Sequence, residues 1–241
     1  MIDIHCHILP AVDDGARSWE TSLAMCAMAR EDGVEHIVAT PHSNEVYFYD
    51  RRQLQQLADE LAEKVGYRPQ ISLGCDFHFS YENIQDALAN PHQFTIDNTP
   101  YLLVEFSDFS LPPSTDDNLA ALINIGLKPI ITHPERNPLL QRRPERILDF
   151  VRGGCLVQVT GNAITGRWGK TAQSVIQWLF DREAVHIIAS DGHNLDSRKP
   201  CLAKAREAAA EIVGDAIADF LTTTNPRAIV NGDPVPYFPR I

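Results

Sequence analysis

The sequence predicts an α/β fold, and specifically a closed or distorted (β/α) barrel of seven parallel strands. Short β-rich segments alternate with amphipathic helical segments along almost the whole chain, which is typical of parallel strands joined by crossover helices. Residues that can bind metals follow nearly every predicted strand. In a barrel these positions meet at one mouth, whereas an open sheet would concentrate its site near one switch point.

The predicted strands are short runs rich in β-branched and apolar residues and bounded by turn residues. They are residues 2–5, 34–40, 70–74, 101–106, 128–132, 155–160 and 185–190. Because each run is followed by a segment with helical periodicity, seven strand–helix units are expected. No linker, repeat or low-complexity segment separates these units, so residues 1–241 are expected to form one domain.

Several predicted helices have recognisable ends. Ser18 is a candidate N-cap with Glu20 in the first turn, and Gly33 ends that helix. Pro144 suits the first turn of a second helix, which stops at Gly153 and the following glycine. The remaining predicted helices are residues 51–65, 116–125, 171–182 and 199–212, with further helical turns after residue 214.

Composition limits the classes of partner. The net charge of -11 argues against a nucleic-acid backbone or an anionic membrane as the main partner. The five cysteines are scattered and form no C-x-x-C pair, which suits a reducing compartment and predicts a cytoplasmic protein. No run approaches 18 apolar residues and the N-terminus lacks a basic region before an apolar one, so neither a membrane span nor a secretion signal is expected.

The first predicted strand ends in a histidine pair, His5 and His7. Residues i and i+2 of a strand point to the same side, so both imidazoles can reach one point while Cys6 faces away. Such a pair alone is a weak signal, because core histidines often have satisfied hydrogen bonds. Its significance comes from the other metal-capable residues at strand ends, which are Asp13, Asp14, His42, Asp76, Glu105, His133, Asp191 and His193.

This donor set predicts a metal centre with more than one ion. Imidazoles and carboxylates without an evident thiolate suit manganese, iron or zinc. Eight or nine donors are too many for one ion, so two or three metals that share a bridging carboxylate are expected, with Glu105 as the best candidate for the bridge. Such centres promote in-line displacement at phosphorus, and phosphoester hydrolysis is therefore the predicted chemistry.

The other histidines are interpreted differently. His36 and His186 lie inside predicted strands and are expected to be packed, and His92 is expected to be solvated. His78 could share a face with Asp76, and its place in the site is left open. Eight aromatic residues lie on three loops after ligand-bearing strands, where they either form a rim suited to a phosphorylated aromatic ring or only pack the loops: Tyr47, Phe48, Tyr49, Phe77, Phe79, Tyr81, Phe106 and Phe109.

Covalent catalysis is not supported by the residue spacing. A cysteine-based phosphatase needs an arginine six residues after the cysteine, and no cysteine of this chain has one. The G-x-S-x-G element of serine esterases is also missing from the sequence.

Five motifs in order resemble the PHP (polymerase and histidinol phosphatase) family of metallohydrolases. Within it the chain is most similar to the bacterial CpsB/YwqE-type manganese-dependent protein-tyrosine phosphatases of capsular and exopolysaccharide loci. The motifs lie between residues 2 and 198, and residues 225–229 also resemble that group. They are His5-x-His7, Asp13-Asp14-Gly15, Thr40-Pro41-His42, Thr132-His133-Pro134-Glu135-Arg136 and Ser190-Asp191-Gly192-His193-Asn194.

The resemblance implies a distorted (β/α)₇ barrel of the PHP type with three divalent metals, foremost manganese, with iron or zinc as alternatives. Carried over by motif, the three ligand sets are His5, His7, Glu105 and Asp191; Asp76, Glu105 and His133; and Asp14, His42 and His193. Asp76 departs from the pattern, because a glutamate is expected there.

Two arginines, Arg136 and Arg198, match positions where the family binds the substrate phosphate. A guanidinium fork suits that task, but neither arginine would stand out without the resemblance. Together with Glu105 and Asp191 they are the residues expected to carry catalysis.

The resulting hypothesis is a phosphotyrosine-protein phosphatase that acts on a bacterial tyrosine autokinase, at a C-terminal tyrosine cluster, in the control of polysaccharide export. One alternative is a small-molecule PHP phosphatase such as histidinol phosphatase. An alternative of another class is a non-catalytic regulator that binds the kinase tail and uses its metals only for stability. The metal, the kinase, the oligomeric state and the general acid stay open.

Overall fold

A computed structural model describes residues 1–239 of the chain. Within these residues, every strand pairing is parallel. The strands are β1 (Ile2–Cys6), β2 (His36–Ala39), β3 (His42–Ser43), β4 (Gln70–Leu73), β5 (Asp76–His78), β6 (Tyr101–Glu105), β7 (Lys128–Thr132), β8 (Leu156–Thr160) and β9 (Ile187–Ala189).

Helices follow most of the strands, and the last helix of the described chain ends at Asn231. They are α1 (Trp19–Glu31), α2 (Arg51–Val65), α3 (Tyr81–Ala89), α4 (Thr115–Asn124), α5 (Pro138–Arg142), α6 (Glu145–Arg152), α7 (Gly161–Ile164), α8 (Gly169–Phe180), α9 (Ala203–Val213), α10 (Asp215–Asp219) and α11 (Asn225–Asn231). A 3₁₀ turn lies at Ile96–Asn98, and a π turn at Phe220–Thr224. Among the described helices, none is both long and apolar enough to cross a bilayer.

Seven strand paths correspond to the seven predicted strands, but two of the paths are interrupted. The second path breaks at Pro41, between β2 and β3, because proline has no N–H to donate to a strand ladder. The third path breaks at Gly74, between β4 and β5, where a Cβ would lie only 3.0 Å from the side chain of Val38. Asp76 was predicted to follow the third strand, but it is instead the first residue of the short strand β5.

The strands form two parallel sheets, in the orders β1-β2-β4 and β3-β5-β6-β7-β8-β9. Their edge strands β1 and β9 are linked through the backbone, since the His7 N–H donates to Gly192 O at 2.8 Å and the Asp191 N–H donates to His5 O at 2.9 Å. The parallel α/β fold that the sequence predicts is confirmed. The carboxyl ends of the strands consequently lie at one end of the molecule.

Alternating strand residues contribute to two apolar clusters. The smaller cluster is built mainly from strand side chains that meet at one centre, and it includes Ile4, Leu103, Ile130 and Ile187, all with 0% exposure. The larger cluster lies between the strands and the helices and takes their neighbours along the chain, such as Val104 and Ile131. Burial on both faces explains why these strands are continuous apolar runs rather than alternating ones.

Helix ends follow the sequence signals with small differences. The Ser18 side chain accepts a hydrogen bond from the Thr21 N–H at 3.3 Å, and Gly33 has a φ of 88° just after α1. Pro144 is the N-cap of α6 and not a first-turn residue. Three short helices, α3, α5 and α7, were not predicted. They have 9, 5 and 4 residues, and so few turns leave little periodicity in the sequence.

Candidate metal centre

The imidazoles and carboxylates at the strand ends converge on one small volume. His5 Nε2 lies 3.3 Å from His7 Nε2 and 3.5 Å from Asp76 Oδ2, and His42 Nδ1 lies 3.2 Å from the same oxygen. Ligands bound to one cation at about 2.1 Å are roughly 3 to 3.5 Å apart. The observed separations are therefore those of ligands that could share a cation.

A β-bulge in β1 places the first two imidazoles. Asp3 pairs with Ile37 while Cys6 pairs with Ala39, so β1 has one extra residue between the paired positions. The bulge allows His5 to reach the centre although its neighbour Ile4 packs in the smaller apolar cluster. Cys6 faces away, as predicted, and packs in the larger cluster.

Two predicted ligands occupy backbone conformations that are rare for residues with a side chain. His133 has a φ of 32° and Asp191 a φ of 49°, and each residue lies directly after a strand or one residue beyond it. Positive φ values cost free energy for non-glycine residues and occur mostly at functional sites. Both side chains lie against the cluster, Asp191 near His5 and His133 near Glu105.

Three compact groups of potential ligand atoms, each within 4.8 Å, are His7, Asp14, His42 and His193; His5, His7 and Asp76; and His42, Asp76 and Glu105. They overlap at His7, His42 and Asp76, which favours neighbouring cations over separate sites. This grouping differs from the one implied by the resemblance, because Asp76 rather than Glu105 lies with the first histidine pair.

The other predicted ligands border these groups. Asp191 Oδ1 lies 3.5 Å from His5 Nε2 and 3.6 Å from His7 Nε2. His133 Nε2 lies 3.7 Å from Glu105 Oε1. Asp14 is 47% exposed. Seven of the nine predicted metal ligands form the three groups, and Asp191 and His133 border them.

Several buried polar atoms in the centre have no hydrogen-bond partner among residues 1–239. They are both carboxylate oxygens of Asp76, Nδ1 of His42 and Nε2 of His193. The His42 and Asp76 atoms are close but are not aligned for a hydrogen bond. Buried polar atoms normally have hydrogen-bond partners. A cation bound between these atoms would satisfy them together, and this set of imidazole and carboxylate ligands fits Mn²⁺, Fe²⁺ or Zn²⁺.

The remaining ring nitrogens are held by other parts of the protein. His5 Nδ1 lies 3.0 Å from Gln158 Oε1, and His7 Nδ1 lies 2.7 Å from Asp13 Oδ2. His193 Nδ1 lies 3.0 Å from the backbone oxygen of Asp191. Acceptors of this kind fix the tautomer, so that the other nitrogen, Nε2, is free to bind a metal.

Electrostatics within the cluster act on its carboxyl groups in opposite directions, because burial and the nearby Asp76 raise the pKa of Glu105 whereas the pKa of Asp76 is lowered. Burial opposes ionisation of Asp76, but the imidazoles of His5 and His42 outweigh it and hold the pKa of Asp76 well below its usual range. Burial lowers the pKa of His5, but the negative charges of Asp76 and Asp191 together raise it more strongly. The resulting pKa of His5 is about 9. The pKa of His7 falls to about 4 because of burial and the nearby His193. In the absence of metal, a proton on His5 thus balances part of the carboxylate charge, and a bound divalent cation could neutralise that charge instead.

Both predicted phosphate-binding arginines lie beside this cluster. Arg136 Nη1 and Arg198 Nη2 donate to the same oxygen of Asp191, the latter at 2.5 Å. The Nε atoms of both guanidinium groups are buried and have no hydrogen-bond partner within the described residues. Two oriented guanidinium groups with unused donors are suited to the oxygens of a phosphoryl group.

A cleft of about 550 Å³ leads to the cluster from outside and is lined by His42, His78, Glu105, His133 and Arg136 together with residues 44–46, 106–109 and 168. His78 Nδ1 lies 3.7 Å from Glu105 Oε2, so it borders the cluster through that carboxylate. The cleft therefore joins the potential ligands to one of the two arginines.

The eight loop aromatics divide between the two interpretations. Tyr49, Phe77 and Phe106 are buried, although Phe106 also lines the cleft. Phe109 lines the cleft and is 94% exposed, and Tyr47 stacks on the His42 ring with a centroid distance of 5.9 Å. The others are the partly buried Phe79 and the exposed Phe48 and Tyr81.

Three histidines lie apart from the cluster, as predicted. His36 Nε2 lies 2.8 Å from the Ser72 hydroxyl. His186 is buried just before β9, where its Nδ1 accepts a hydrogen bond from the Val157 N–H at 3.0 Å. His92 is exposed.

Sequence reasoning missed two residues at this site, Gln158 and Trp168. Gln158 is a polar residue between two valines in the strand Leu156–Thr160, and that position could have indicated a buried hydrogen-bond acceptor. Trp168 lies in a loop without periodicity, and no local signal marks it.

A family model described as "Capsular polysaccharide synthesis, CpsB/CapC" matches residues 1–231. The chain belongs to this family. Its relatives include the tyrosine-protein phosphatase YwqE of Bacillus subtilis, 33% identical over 203 residues that cover 82% of this chain and 79% of YwqE. They also include the tyrosine-protein phosphatase CpsB of Streptococcus pneumoniae, 30% identical with 95% of this chain and 98% of the relative covered.

Solved structures agree with this assignment to the CpsB/CapC family. A structure from work on YwqE and CpsB, described as metal-dependent tyrosine phosphatases, matches with a TM-score of 0.90 and 30% identity, and all of both chains is covered. A TatD homologue from Escherichia coli, YJJV, matches with a TM-score of 0.52 at 18% identity over 95% of this chain and 97% of its own, and shows a likeness of fold alone.

Proposed function

We propose that this CpsB/CapC protein is a metal-dependent phosphotyrosine-protein phosphatase. The observation that carries the proposal is that two arginines with unused donors and a cluster of metal-capable side chains border the same carboxylate, Asp191. The relatives named as tyrosine-protein phosphatases support the substrate class. The finer parts of the proposal are a cytoplasmic location and a bacterial tyrosine autokinase, with a C-terminal tyrosine cluster, as the substrate in capsular polysaccharide control.

We also propose three divalent cations, foremost manganese, within a distorted (β/α)₇ barrel. Overlap of the three ligand groups at shared residues supports the three positions. The ligands would be His5, His7, Asp14, His42, Asp76, Glu105, His133, Asp191 and His193. Asp76, which faces His5, His7 and His42, would help to hold the cations, and Glu105, which faces His42, would hold one nearer the cleft.

When bound, such cations supply a nucleophile from water at neutral pH and offset charge on the phosphoryl oxygens. The chain's own residues bind and orient the substrate. Arg136 and Arg198 donate hydrogen bonds to the phosphoryl oxygens, and Asp191 holds the two guanidinium groups at a fixed separation. The transferring phosphoryl group flattens into a trigonal arrangement with its charge spread over the three equatorial oxygens. Donors preoriented for that geometry stabilise the transition state more than the ground state.

The walls of the cleft favour an aromatic phosphoester. Phe106, Phe109 and Trp168 line the cleft, and Tyr47 stacks on the ring of His42, which also lines it. Apolar walls next to a charged floor can pack against a phenyl ring, whereas a small polar substrate would leave them solvated. This observation favours phosphotyrosine over histidinol phosphate.

The test is phosphatase activity of the purified, Mn²⁺-loaded protein on a tyrosine-phosphorylated peptide, p-nitrophenyl phosphate and histidinol phosphate. We expect turnover of the first two and a higher kcat/KM for the peptide than for histidinol phosphate. Glu105→Ala should abolish activity, whereas His36→Ala, which lies outside the cluster, should not. A large preference for histidinol phosphate would refute the substrate class, and a metal-stabilised protein without any hydrolysis would support the regulator.

A further inference from the structure

One aromatic side chain contacts both arginines. The ring centroid of Trp168 lies 3.9 Å from Cζ of Arg136 and 5.9 Å from Cζ of Arg198. Both distances are within about 6 Å, the range in which a cation is attracted to the face of an indole. The three residues come from three separate segments, after β7, before α8 and after β9, so only the folded chain brings them together.

The contact acts on two guanidinium groups that share one carboxylate oxygen. Both donate to one oxygen of Asp191, which brings two positive charges close together around one negative charge. The electron-rich indole face offsets part of the repulsion between the two cations. A flat ring against long side chains also reduces the number of rotamers that Arg136 and Arg198 can adopt, and therefore the entropy lost when they bind an anion.

The backbone around Trp168 is shaped by two glycines. Gly166 and Gly169 have φ values of 90° and 85°, in the left-handed region that favours glycine. A Cβ on Gly166 would lie 2.8 Å from Nε2 of Gln173, whose amide donates to the Ile164 oxygen. The turn holds the indole at the wall of the cleft, where it is 38% exposed and next to the space a substrate would enter.

We propose that Trp168 is a positioning residue that holds Arg136 and Arg198 in the geometry that receives a phosphoryl group. This inference rests on the proposed function of the two arginines as the phosphate-binding pair. Its effect passes through the guanidinium groups, so it predicts weaker binding of phosphate itself and not only of aromatic substrates.

The experiment compares Trp168→Ala, Trp168→Leu and Trp168→Phe in the Mn²⁺-loaded enzyme. We expect the first two to raise KM for p-nitrophenyl phosphate, and the inhibition constant of inorganic phosphate, by about 3- to 30-fold, the range that cation–π contacts give. The change in kcat should be smaller. Trp168→Phe keeps an aromatic face and should restore most of the affinity, whereas leucine fills space without one.

The chain offers a matched control. The ring of Trp178 lies 4.1 Å from Cζ of Arg182, which is the same kind of contact at the other end of α8 and outside the cleft residues. Trp178→Ala should leave KM and phosphate inhibition at wild-type values. Thermal unfolding of every variant shows whether each one is folded under the assay conditions.

Two results would overturn the inference. One is a Trp168→Ala enzyme with KM and phosphate inhibition within about twofold of the wild type, and the other is equal performance of the leucine and phenylalanine variants. A wild-type protein that binds phosphate but hydrolyses no substrate would refute the proposed function instead. In that case, calorimetric titration of the wild type and of Trp168→Ala with phosphate decides the role of Trp168.

Discussion

Gln158 Oε1 lies 3.0 Å from Nδ1 of His5, and both residues have 0% exposure. The amide oxygen can only accept, so Nδ1 keeps its proton when the imidazole is neutral, and Nε2 is then the nitrogen that can offer a lone pair to a cation beside Asp76. The middle of β8 thus determines which nitrogen of a β1 histidine can bind a cation.

Replacing this acceptor should weaken metal binding. We expect Gln158→Leu to reduce Mn²⁺ affinity by about 10- to 100-fold, the usual effect of losing a partner of a ligating histidine. Gln158→Glu, which keeps an acceptor oxygen, should lose less affinity. Mn²⁺ titration by calorimetry measures both variants, and wild-type affinity in the leucine variant would show that Gln158 does not orient His5.

Removal of metal should lower stability. Burial of Asp76 is offset here only by imidazoles, and a divalent cation would neutralise the charge more fully. At a cation concentration about 100 times its Kd, each site adds about 2.7 kcal/mol to the free energy of unfolding. We therefore expect a chelator to lower Tm and added Mn²⁺ to restore it. His7→Ala should reduce this shift and His36→Ala should not, and a Tm insensitive to the chelator would contradict the metal centre.

Substitution of either arginine by lysine should impair phosphate binding while the charge is kept. Lysine lacks the second donor of the guanidinium fork, and a charged hydrogen bond is worth about 1.5 to 3 kcal/mol. Arg136→Lys and Arg198→Lys should thus lower kcat/KM by about 10- to 100-fold in steady-state assays. Arg146→Lys is the control, because that arginine pairs with Asp116 at 2.8 Å outside the cleft. Equal kinetics in all three variants would rule out the phosphate-binding role.

Stability should fall in mild acid because of His186. Burial lowers its pKa from 6.5 to about 4. Between pH 6.5 and pH 4 the unfolded chain therefore binds a proton at His186 and the folded chain does not. The free energy of unfolding decreases as the pH falls through this range, by about 3 kcal/mol in total. His186→Asn retains an acceptor for the Val157 N–H and should flatten this dependence. Denaturant unfolding at pH 7, 5.5 and 4.5 compares the two proteins, and parallel curves would contradict the assignment.

Much of the fold could be predicted because each strand is a buried run that ends in a polar residue. Parallel strands place such ends together, so His5, His42 and His133 could be brought to one site without knowledge of any distance. The interruption at Pro41 and the separate strand that begins at Asp76 were not predicted, since they depend on how neighbouring strands approach each other.

The sequence predicted which residues lie at the site better than it predicted how they are arranged there. Which carboxylate faces which imidazole depends on the bulge in β1 and on the positive φ of His133 and Asp191, and neither has a signature in the sequence. Gln158 and Trp168 act through contacts between segments that are distant along the chain. The strand pattern could have marked Gln158 as buried but not its partner His5, and no local pattern marks Trp168.

Asp191 faces the imidazoles with one oxygen and the two arginines with the other. Occupancy of the two halves of the site is therefore thermodynamically linked through a single carboxylate. If a cation draws Oδ1 toward itself, the position of Oδ2 and of both guanidinium groups changes with it. If bound cations increase the affinity for phosphate by some factor, bound phosphate must increase the affinity for the cations by the same factor. The resting protein should therefore retain its metals more tightly when phosphate is abundant.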